Sequence, residues 1–380
     1  MRKDFHPVRL GIHSLVTKYT VAVIGAGPDP ENPSVDGYAM GYRHAEGFEN
    51  DDRCEVVGVA DIVPENGAAF ADAFDLPESA VYEAYQQMLA DLDPDIVTVA
   101  VPPAVHHDVV VGCARSDTVE AIHCEKPMAT SWNDARSMVQ ECWRNDVQLT
   151  FNRQRRFGKP FVEAKRLLDE GEIGDLRRVE ITWGDFYDTG AHTIDLAGMF
   201  NDEHGAEWVL AALDYRDEDV RFGTHQENQM WAQWRYENGV YGTVSGGEGS
   251  DFADASFVLR GTDGEIRVDV DDGPMLAVSH GGDREAIDVD GETMHATGSE
   301  TDRYGSGFQD RAAAEVVDAL EAGREPSLSG RIGLNTAEIV FAGYESVRRT
   351  GRVDLPADGS DHPLEAMVES GRLSPSPPDE

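Results

Sequence analysis

Short apolar runs alternate with helical stretches over the first part of this 380-residue chain. The runs lie at 21–24, 56–60, 96–101, 119–123 and 147–151. Because they are continuous rather than alternating, they predict strands that are buried on both faces, as in a parallel sheet between helices. Helical stretches such as 131–144 separate them. The pattern therefore predicts a doubly wound parallel α/β sheet over residues 19–150.

The pattern changes after residue 151. A helix is predicted between Pro160 and Gly171. Strands with clearer alternation then follow at 176–183, 208–215, 228–237, 241–245, 256–260 and 265–270. Turn sequences such as Glu237-Asn238-Gly239 join some of them as hairpins, which indicates a mostly antiparallel sheet. We therefore expect a second α/β domain over 151–355, whose late helices at 307–322 and 331–350 are candidates for packing back on the first domain.

The two ends of the chain differ from these domains. Residues 1–18 form an N-terminal extension that lacks the apolar core and the small-residue cleavage site of a signal peptide. Acids, Ser, Gly and Pro predominate over residues 356–380, which predicts a disordered acidic tail. No apolar run reaches the roughly 20 residues that a membrane span needs.

Charge and cysteine usage narrow the function classes. The chain has 72 acidic and 32 basic residues, a net charge of −40, so we set aside nucleic acid and anionic membranes as partners. The acids run through every segment and lysines are few, which is typical of a halophile's protein in screening salt. The four cysteines have no metal-type spacing and predict reduced thiols, no metal site and a cytoplasmic location.

A glycine pattern follows the first predicted strand. Gly25 and Gly27 form a Gly-x-Gly turn, which can bring a dinucleotide pyrophosphate against backbone amides at a helix N-terminus. An insertion at 28–36 then precedes Gly37, which we expect to start the helix; the alternative is a plain tight turn. Asp61 ends the second strand, at about the spacing of the acid that accepts ribose hydroxyls. No arginine follows Asp61, so NAD is favoured over NADP.

Two further strand ends carry candidate chemistry, because ligands of doubly wound sheets bind at the carboxyl ends of strands. Pro102 stops one strand and His106 lies just beyond it. For this histidine the alternative is a helix-start or packing role. Glu125 and Lys126 end another strand in Glu-Lys-Pro, where the alternative is a solvated ion pair.

In this order, these motifs resemble those of the glucose–fructose oxidoreductase / inositol dehydrogenase / MocA (Gfo/Idh/MocA) family. Over residues 19–350 the segments "FNRQRRFGKPF", "LLDEGEIGDLRRVEI" and "DTGAHTIDL" also resemble that family's. The resemblance implies an N-terminal Rossmann domain, a C-terminal α/β domain, NAD(P)-dependent oxidation of a sugar or cyclitol, and a homodimer or homotetramer. It also implies the catalytic residues Lys126, Asp188 and His192.

The resemblance extends to binding residues, with two departures. The implied cofactor-binding residues are Gly25, Gly27, Gly37, Asp61, Pro102, His106, Glu125 and Lys126. The implied substrate-binding residues are Asn152, Arg153, Arg156 and Asp195. The departures are the insertion in the pyrophosphate loop and one extra residue within "NRQRRF", which leaves the register of Arg153 against Arg156 open.

The residues themselves support a mechanism. If a helix begins at Asp188, His192 lies one turn on and Asp195 two turns on, along one stripe. His192 is then the general base, oriented by Asp188, and Lys126 hydrogen-bonds the reacting oxygen, because a partly buried lysine can share a proton whereas arginine stays protonated. Pro127 is expected to aim Lys126, through a cis peptide bond.

Other interpretations stay open. Glu227 or Asn228 could contact substrate, although a solvated strand face is the alternative. The chain could also be an NAD-dependent glycosidase that oxidises its sugar transiently, or a regulatory protein that binds NAD without redox chemistry.

Overall fold

The structure, a computed structural model, describes residues 18–30, 39–247, 250, 252–295 and 308–377. The described chain forms two compact units. The first unit contains the described residues within 18–125, 137–152 and 308–330. The second unit contains the described residues within 126–136, 153–295 and 331–377. The chain therefore leaves the first unit between Glu125 and Lys126, a crossing that the sequence pattern did not predict.

The elements of both units, in chain order, are as follows. The strands are β1 (Tyr19–Ile24), β2 (Cys54–Ala60), β3 (Val81–Tyr82), β4 (Ile96–Val99), β5 (Ala121–Cys124), β6 (Gln148–Phe151), β7 (Leu176–Ile181), β8 (Ala206–Asp214), β9 (Asp219–Arg221), β10 (Thr224–Gln226), β11 (Gln229–Tyr236), β12 (Tyr241–Gly247), β13 (Ala255–Gly261), β14 (Glu265–Val270), β15 (Leu276–Ser279), β16 (Glu285–Ala286) and β17 (Val353–Asp354). The helices are α1 (Met40–Glu49), α2 (Pro64–Ala73), α3 (Tyr85–Leu92), α4 (Pro103–Ala114), α5 (Trp132–Arg144), α6 (Lys159–Asp169), α7 (Gly190–Phe200), α8 (Gln309–Ala322), α9 (Gly330–Arg349) and α10 (Pro363–Glu369).

The first unit is built on a parallel six-stranded sheet, which confirms the predicted doubly wound domain. Its strand order is β3-β2-β1-β4-β5-β6, and all of its strand pairs are parallel. The late helix α8 belongs to this unit, where Val316 and Val317 share a core with Tyr42 and Phe48 of α1. The continuous apolar strands are therefore covered by helices that come from both ends of the unit's sequence.

The second unit contains a nine-stranded, mostly antiparallel sheet, as predicted. Its order is β16-β15-β14-β13-β7-β12-β11-β8-β17, and β7 pairs in parallel with β12. Helices α6 and α7 pack on it: the rings of Phe161 and Phe200 lie 5.6 and 6.5 Å from that of Phe257. The C-terminal end of α7 therefore packs against this sheet.

The predicted disorder of residues 356–380 is wrong for the described part of that segment. Residues 363–369 form α10, with Leu364 and Met367 buried. Beyond the helix, Ser376 forms a bridge with Asp217. The mainly polar composition concealed two apolar side chains three residues apart, which lie on one helix face after a proline at the first turn.

Three composition-based expectations concern membranes, thiols and metals. Among the described residues, none of the helices combines the length and the hydrophobicity that crossing a bilayer requires. The cysteines Cys54, Cys113, Cys124 and Cys142 are buried free thiols, as expected. In the part of the chain that the structure describes, no three His, Cys, Asp or Glu side chains are grouped as metal ligands.

Candidate active site

The Gly-x-Gly turn after β1 has a backbone that only glycine adopts readily. Gly25 and Gly27 have φ of 88° and 74°, and a Cβ on Gly25 would lie 2.7 Å from the carbonyl oxygen of Ala100. A Cβ on Gly41, in the first turn of α1, would lie 2.4 Å from the carbonyl oxygen of Gly25. Strand end and helix start are therefore in backbone contact. This turn, bare of side chains at those positions, fits a dinucleotide pyrophosphate.

Gly41 was not singled out from the sequence. We had predicted that Gly37 starts the helix; this residue lies outside the described residues, and α1 begins later, at Met40. Because the insertion lengthens the loop, α1 begins far from the turn in sequence. The glycine that permits close packing of α1 on the turn, Gly41, therefore follows Gly27 at an unusual distance. Gly41 in "GYAMGY" was the available signal.

Asp61 holds the turn in place. Its Oδ2 accepts hydrogen bonds from the backbone N–H groups of Ala26, at 2.9 Å, and Gly27, at 3.1 Å. Its Oδ1 accepts one from the N–H of Val63, at 2.8 Å. The carboxylate thus lies beside the Gly-x-Gly turn, and its contact with a ribose stays a prediction.

The predicted residues after β4 cap and fill the start of α4. Pro102 is the N-cap residue of this helix. His106 is buried, with Nε2 2.8 Å from the carbonyl oxygen of Val101. This geometry favours the packing interpretation of His106, and a cofactor contact of either residue stays a prediction.

Glu125, at the end of β5, belongs to a buried polar network. Its Oε1 lies 2.8 Å from Nε2 of His44 and accepts a hydrogen bond from Nδ2 of Asn152 at 2.5 Å. Nδ1 of His44 bonds the hydroxyl of Thr98. Asn152 therefore lies in the first unit and supports Glu125, and its contact with substrate stays a prediction. His44 was missed, because a lone histidine in an apolar helix stripe is usually a packing residue.

In the second unit, the structure brings Lys126 and Asp188 together. Nζ of Lys126 lies 2.6 Å from Oδ1 of Asp188, and the Lys126–Pro127 peptide bond is cis, as predicted. Helix α7 begins at Gly190 rather than at Asp188. The Asp188 carboxylate pairs with Lys126, and its role in orienting His192 stays a prediction.

His192 is the third residue of α7 and its side chain is buried, with 4% of the residue exposed. Its Nδ1 has no hydrogen-bond partner within the described ranges. Burial, and then the positive charges of Arg155 and Lys126, lower the pKa of His192 well below its usual 6.5. The imidazole is therefore neutral near pH 7 and can accept a proton.

The other three predicted substrate residues form a buried ion cluster. Nη2 of Arg156 lies 2.7 Å from Oδ1 of Asp195, and Arg153 pairs with the same carboxylate. Arg156 also donates to Glu203 at 2.5 Å. The guanidinium groups serve to neutralise Asp195, and removal of any member would leave a buried charge uncompensated. The substrate contacts of Arg153, Arg156 and Asp195 stay predictions beside this structural role.

Glu227 and Asn228 support loops. Glu227 accepts hydrogen bonds from the N–H of Phe186, at 2.7 Å, and from the hydroxyl of Tyr344, at 2.5 Å. Burial, and then the charge of Asp185, raise the pKa of Glu227 to about 7. Asn228 Oδ1 accepts a hydrogen bond from the N–H of Arg216 at 2.7 Å. Because Glu227 is buried, the solvated strand face does not describe it, and a substrate contact of Glu227 or Asn228 stays a prediction.

Comparison with known proteins assigns both parts of the chain to one family description. A model described as oxidoreductase family, NAD-binding Rossmann fold, matches residues 31–153. A second, described as oxidoreductase family, C-terminal alpha/beta domain, matches residues 177–355. Together they cover most of the two predicted domains.

Individual relatives are distant. D-apiose dehydrogenase of Rhizobium rhizogenes is 26% identical over 353 residues, which cover 84% of this chain and 95% of that protein. Inositol 2-dehydrogenase of Salmonella typhimurium is 32% identical over 123 residues, 32% of this chain and only 35% of that protein. An oxidoreductase from Agrobacterium radiobacter, solved with NAD+, L-tartaric acid and magnesium, has a TM-score of 0.70 at 21% identity, covering 89% of this chain and 98% of that one.

Proposed function

We propose, from the premise that this chain belongs to the Gfo/Idh/MocA family of oxidoreductases, that it is an NAD-dependent dehydrogenase of a small carbohydrate. It would oxidise a secondary alcohol or hemiacetal of a sugar, cyclitol or sugar derivative. The observation that carries the proposal is the cluster in the second unit, where Lys126 pairs with Asp188 at 2.6 Å and His192 is buried and neutral. The relatives' names, inositol and D-apiose dehydrogenase, are of the same substrate class.

The residues of this cluster divide the proton chemistry. His192 removes the hydroxyl proton as general base, since its imidazole is neutral. Lys126 donates a hydrogen bond to the same oxygen and stabilises the negative charge that develops there. Asp188 is a positioning residue, because its carboxylate fixes the Lys126 ammonium. NAD, when bound, supplies the hydride acceptor.

The first unit supplies the groups that would hold NAD. The turn at Gly25 and Gly27, packed on Gly41, would take the pyrophosphate. The carboxylate of Asp61 beside the turn would repel a 2′-phosphate, which supports NAD over NADP. The dimeric or tetrameric state, the cytoplasmic location and the halophilic origin stay predictions from the sequence.

The test is NADH formation, followed by absorbance in molar salt, against inositols, D-apiose, other aldoses and sugar acids. Substrate-dependent NADH formation is the expected result. Cleavage of an aryl glycoside without net NADH formation would instead establish the glycosidase interpretation. If no compound of the panel gives NADH formation although the protein binds NADH, the result would contradict the dehydrogenase and favour a regulatory role.

A further inference from the structure

Arg155 is a cation of the second unit. In the sequence it lies between Arg153 and Arg156, the two arginines that pair with Asp195. Its guanidinium carbon lies 4.2 Å from the ring centroid of Trp183, whose other neighbour is the ring of His295 at 5.3 Å. Its Nη1 is buried, and within the described parts of the chain it has no hydrogen-bond partner. A buried N–H of a charged group without a partner is costly.

The surroundings make this arrangement unusual for the chain. Arg153 and Arg156 pair with the carboxylate of Asp195, and even the half-exposed Arg166 pairs with two glutamates, Glu163 of α6 and Glu170 just after it. In a protein with 72 acidic residues, a carboxylate for Arg155 would be easy to supply. Burial lowers the pKa of Arg155 to about 10, which shows that the surrounding protein compensates its charge incompletely.

The position of this charge matters for the proposed chemistry. The positive charge of Arg155 lowers the pKa of His192. The pKa of Arg155 is itself raised by the negative charge of Asp188, which acts against the effect of burial. Asp188 is already paired with Lys126 at 2.6 Å. Arg155 therefore contributes positive charge at the proposed base, and its buried Nη1 has no partner within the described residues, so a ligand is a candidate partner.

We propose that Arg155 binds a carboxylate of the substrate, so that the substrate is a polyhydroxy acid such as an aldonate or a uronate. This inference rests on the proposed dehydrogenase function and deepens it. A guanidinium fork matches a carboxylate with two parallel hydrogen bonds. One negative charge balances one guanidinium, whereas a phosphate with about two charges would add uncompensated negative charge to a chain of net charge −40.

The test uses matched substrates at fixed molar salt: D-gluconate against D-glucitol, D-galacturonate against D-galactose, and glucose 6-phosphate against glucose. The enzymes are the wild type, Arg155→Met, Arg155→Lys and the control Arg166→Met. We expect the wild type to prefer the acid of a pair. Arg155→Met should lower kcat/KM for the acid by about 10- to 100-fold, mostly through KM and more than for the neutral partner. Arg155→Lys should recover part of this loss, and Arg166→Met should match the wild type.

Binding of the acid in the presence of NADH, measured by calorimetry, separates the two proposals. Preference for the neutral sugar or the sugar phosphate, or an equal loss for both members of a pair, would overturn the carboxylate assignment and leave the dehydrogenase standing. If no substrate turns over, but the wild type binds an acid that Arg155→Met does not bind, the carboxylate site stands and the dehydrogenase fails. If a folded wild type neither turns over a substrate nor binds an acid, both proposals are overturned.

Discussion

Histidine pKa values show how surroundings decide what a side chain does in this protein. His192 and His362 are both buried, and desolvation is the main reason why their pKa values lie below 6.5. His362 packs against the rings of Tyr187 and Tyr344 at 5.1 and 5.3 Å, which makes it a core residue. His192 has cationic neighbours instead, whose charges add to the effect of burial and lower its pKa further, so that its imidazole is neutral and can accept a proton.

The pH dependence of kcat/KM follows from that shift. A base works in its deprotonated form, so the acid limb of the profile reports the pKa of His192 and should lie below pH 6.5, with a plateau from there to neutral pH. The profile of His280→Asn, which changes an exposed histidine, should be the same. An acid limb centred at or above 6.5 in the wild type would contradict the assignment of His192 as the base.

The predicted change of stability with pH due to Glu227 has the opposite direction to that of an ordinary carboxylate. Its folded pKa of about 7 lies above the unfolded value of about 4.3, so its protonated form stabilises the folded state. This contribution is complete below the unfolded pKa and is lost as pH rises through 7. Between pH 5 and 8, the wild type should therefore lose about 2–3 kcal/mol of unfolding free energy relative to Glu227→Gln. Denaturant unfolding at each pH measures the difference, and a constant difference would contradict the shift.

The candidate site was only partly predictable at this scale. Lys126 and Asp188 were chosen from motifs and lie 2.6 Å apart, because both motifs occupy element ends where polar groups emerge. The pairing of Arg153 and Arg156 with Asp195 was not predicted, since sequence does not show which acid an arginine meets in the fold. His44 and Arg155 were missed for the same reason: His44 meets Glu125 across 81 positions.

At the scale of elements, the long regular segments were predictable and the short ones were not. The apolar runs gave β1, β2 and β4–β6, whereas β3 has two residues and therefore no detectable pattern. The start of α7 was placed two residues early, at Asp188. Helix α10 was not predicted, because the segment that contains it is mainly polar, although the buried side chains of Leu364 and Met367 anchor it.

That helix can be tested directly. Leu364 is fully buried, so Leu364→Ala should lower the free energy of unfolding by about 2–4 kcal/mol. Glu369→Ala, an exposed change in the same helix, should shift it by less than about 0.5 kcal/mol. Thermal and denaturant unfolding provide the comparison. Equal, negligible effects would mean that α10 contributes nothing to the folded core.

At the scale of the whole molecule, net charge is the dominant feature. A charge of −40 repels itself over a Debye length of about 10 Å at 0.1 M salt, which contracts to about 3 Å at 1 M. The described ion pairs neutralise only part of it, and acids such as Asp283 and Glu285 are exposed. We therefore expect that screening by salt stabilises the folded chain.

Salt dependence of stability tests this account. The melting temperature, followed by circular dichroism, should rise as KCl is raised from about 0.1 to about 2 M. A variant that combines Asp283→Asn, Glu285→Gln and Asp288→Asn should depend less on salt, because it carries three fewer exposed negative charges. A melting temperature that stays constant or falls with added salt would contradict the halophilic interpretation.

The central claim is that Lys126 acts on the reacting oxygen, and its most direct test is the rate of NADH formation by Lys126→Met. The identified substrate, saturating NAD and molar salt are used, with NADH binding measured on the same sample and Lys165→Met as the control, since Lys165 pairs with Asp169 and Asp202 instead. We predict that Lys126→Met still binds NADH but forms it about 10²- to 10⁴-fold more slowly, while the control keeps the wild-type rate. A Lys126→Met enzyme that forms NADH at the wild-type rate would contradict the account.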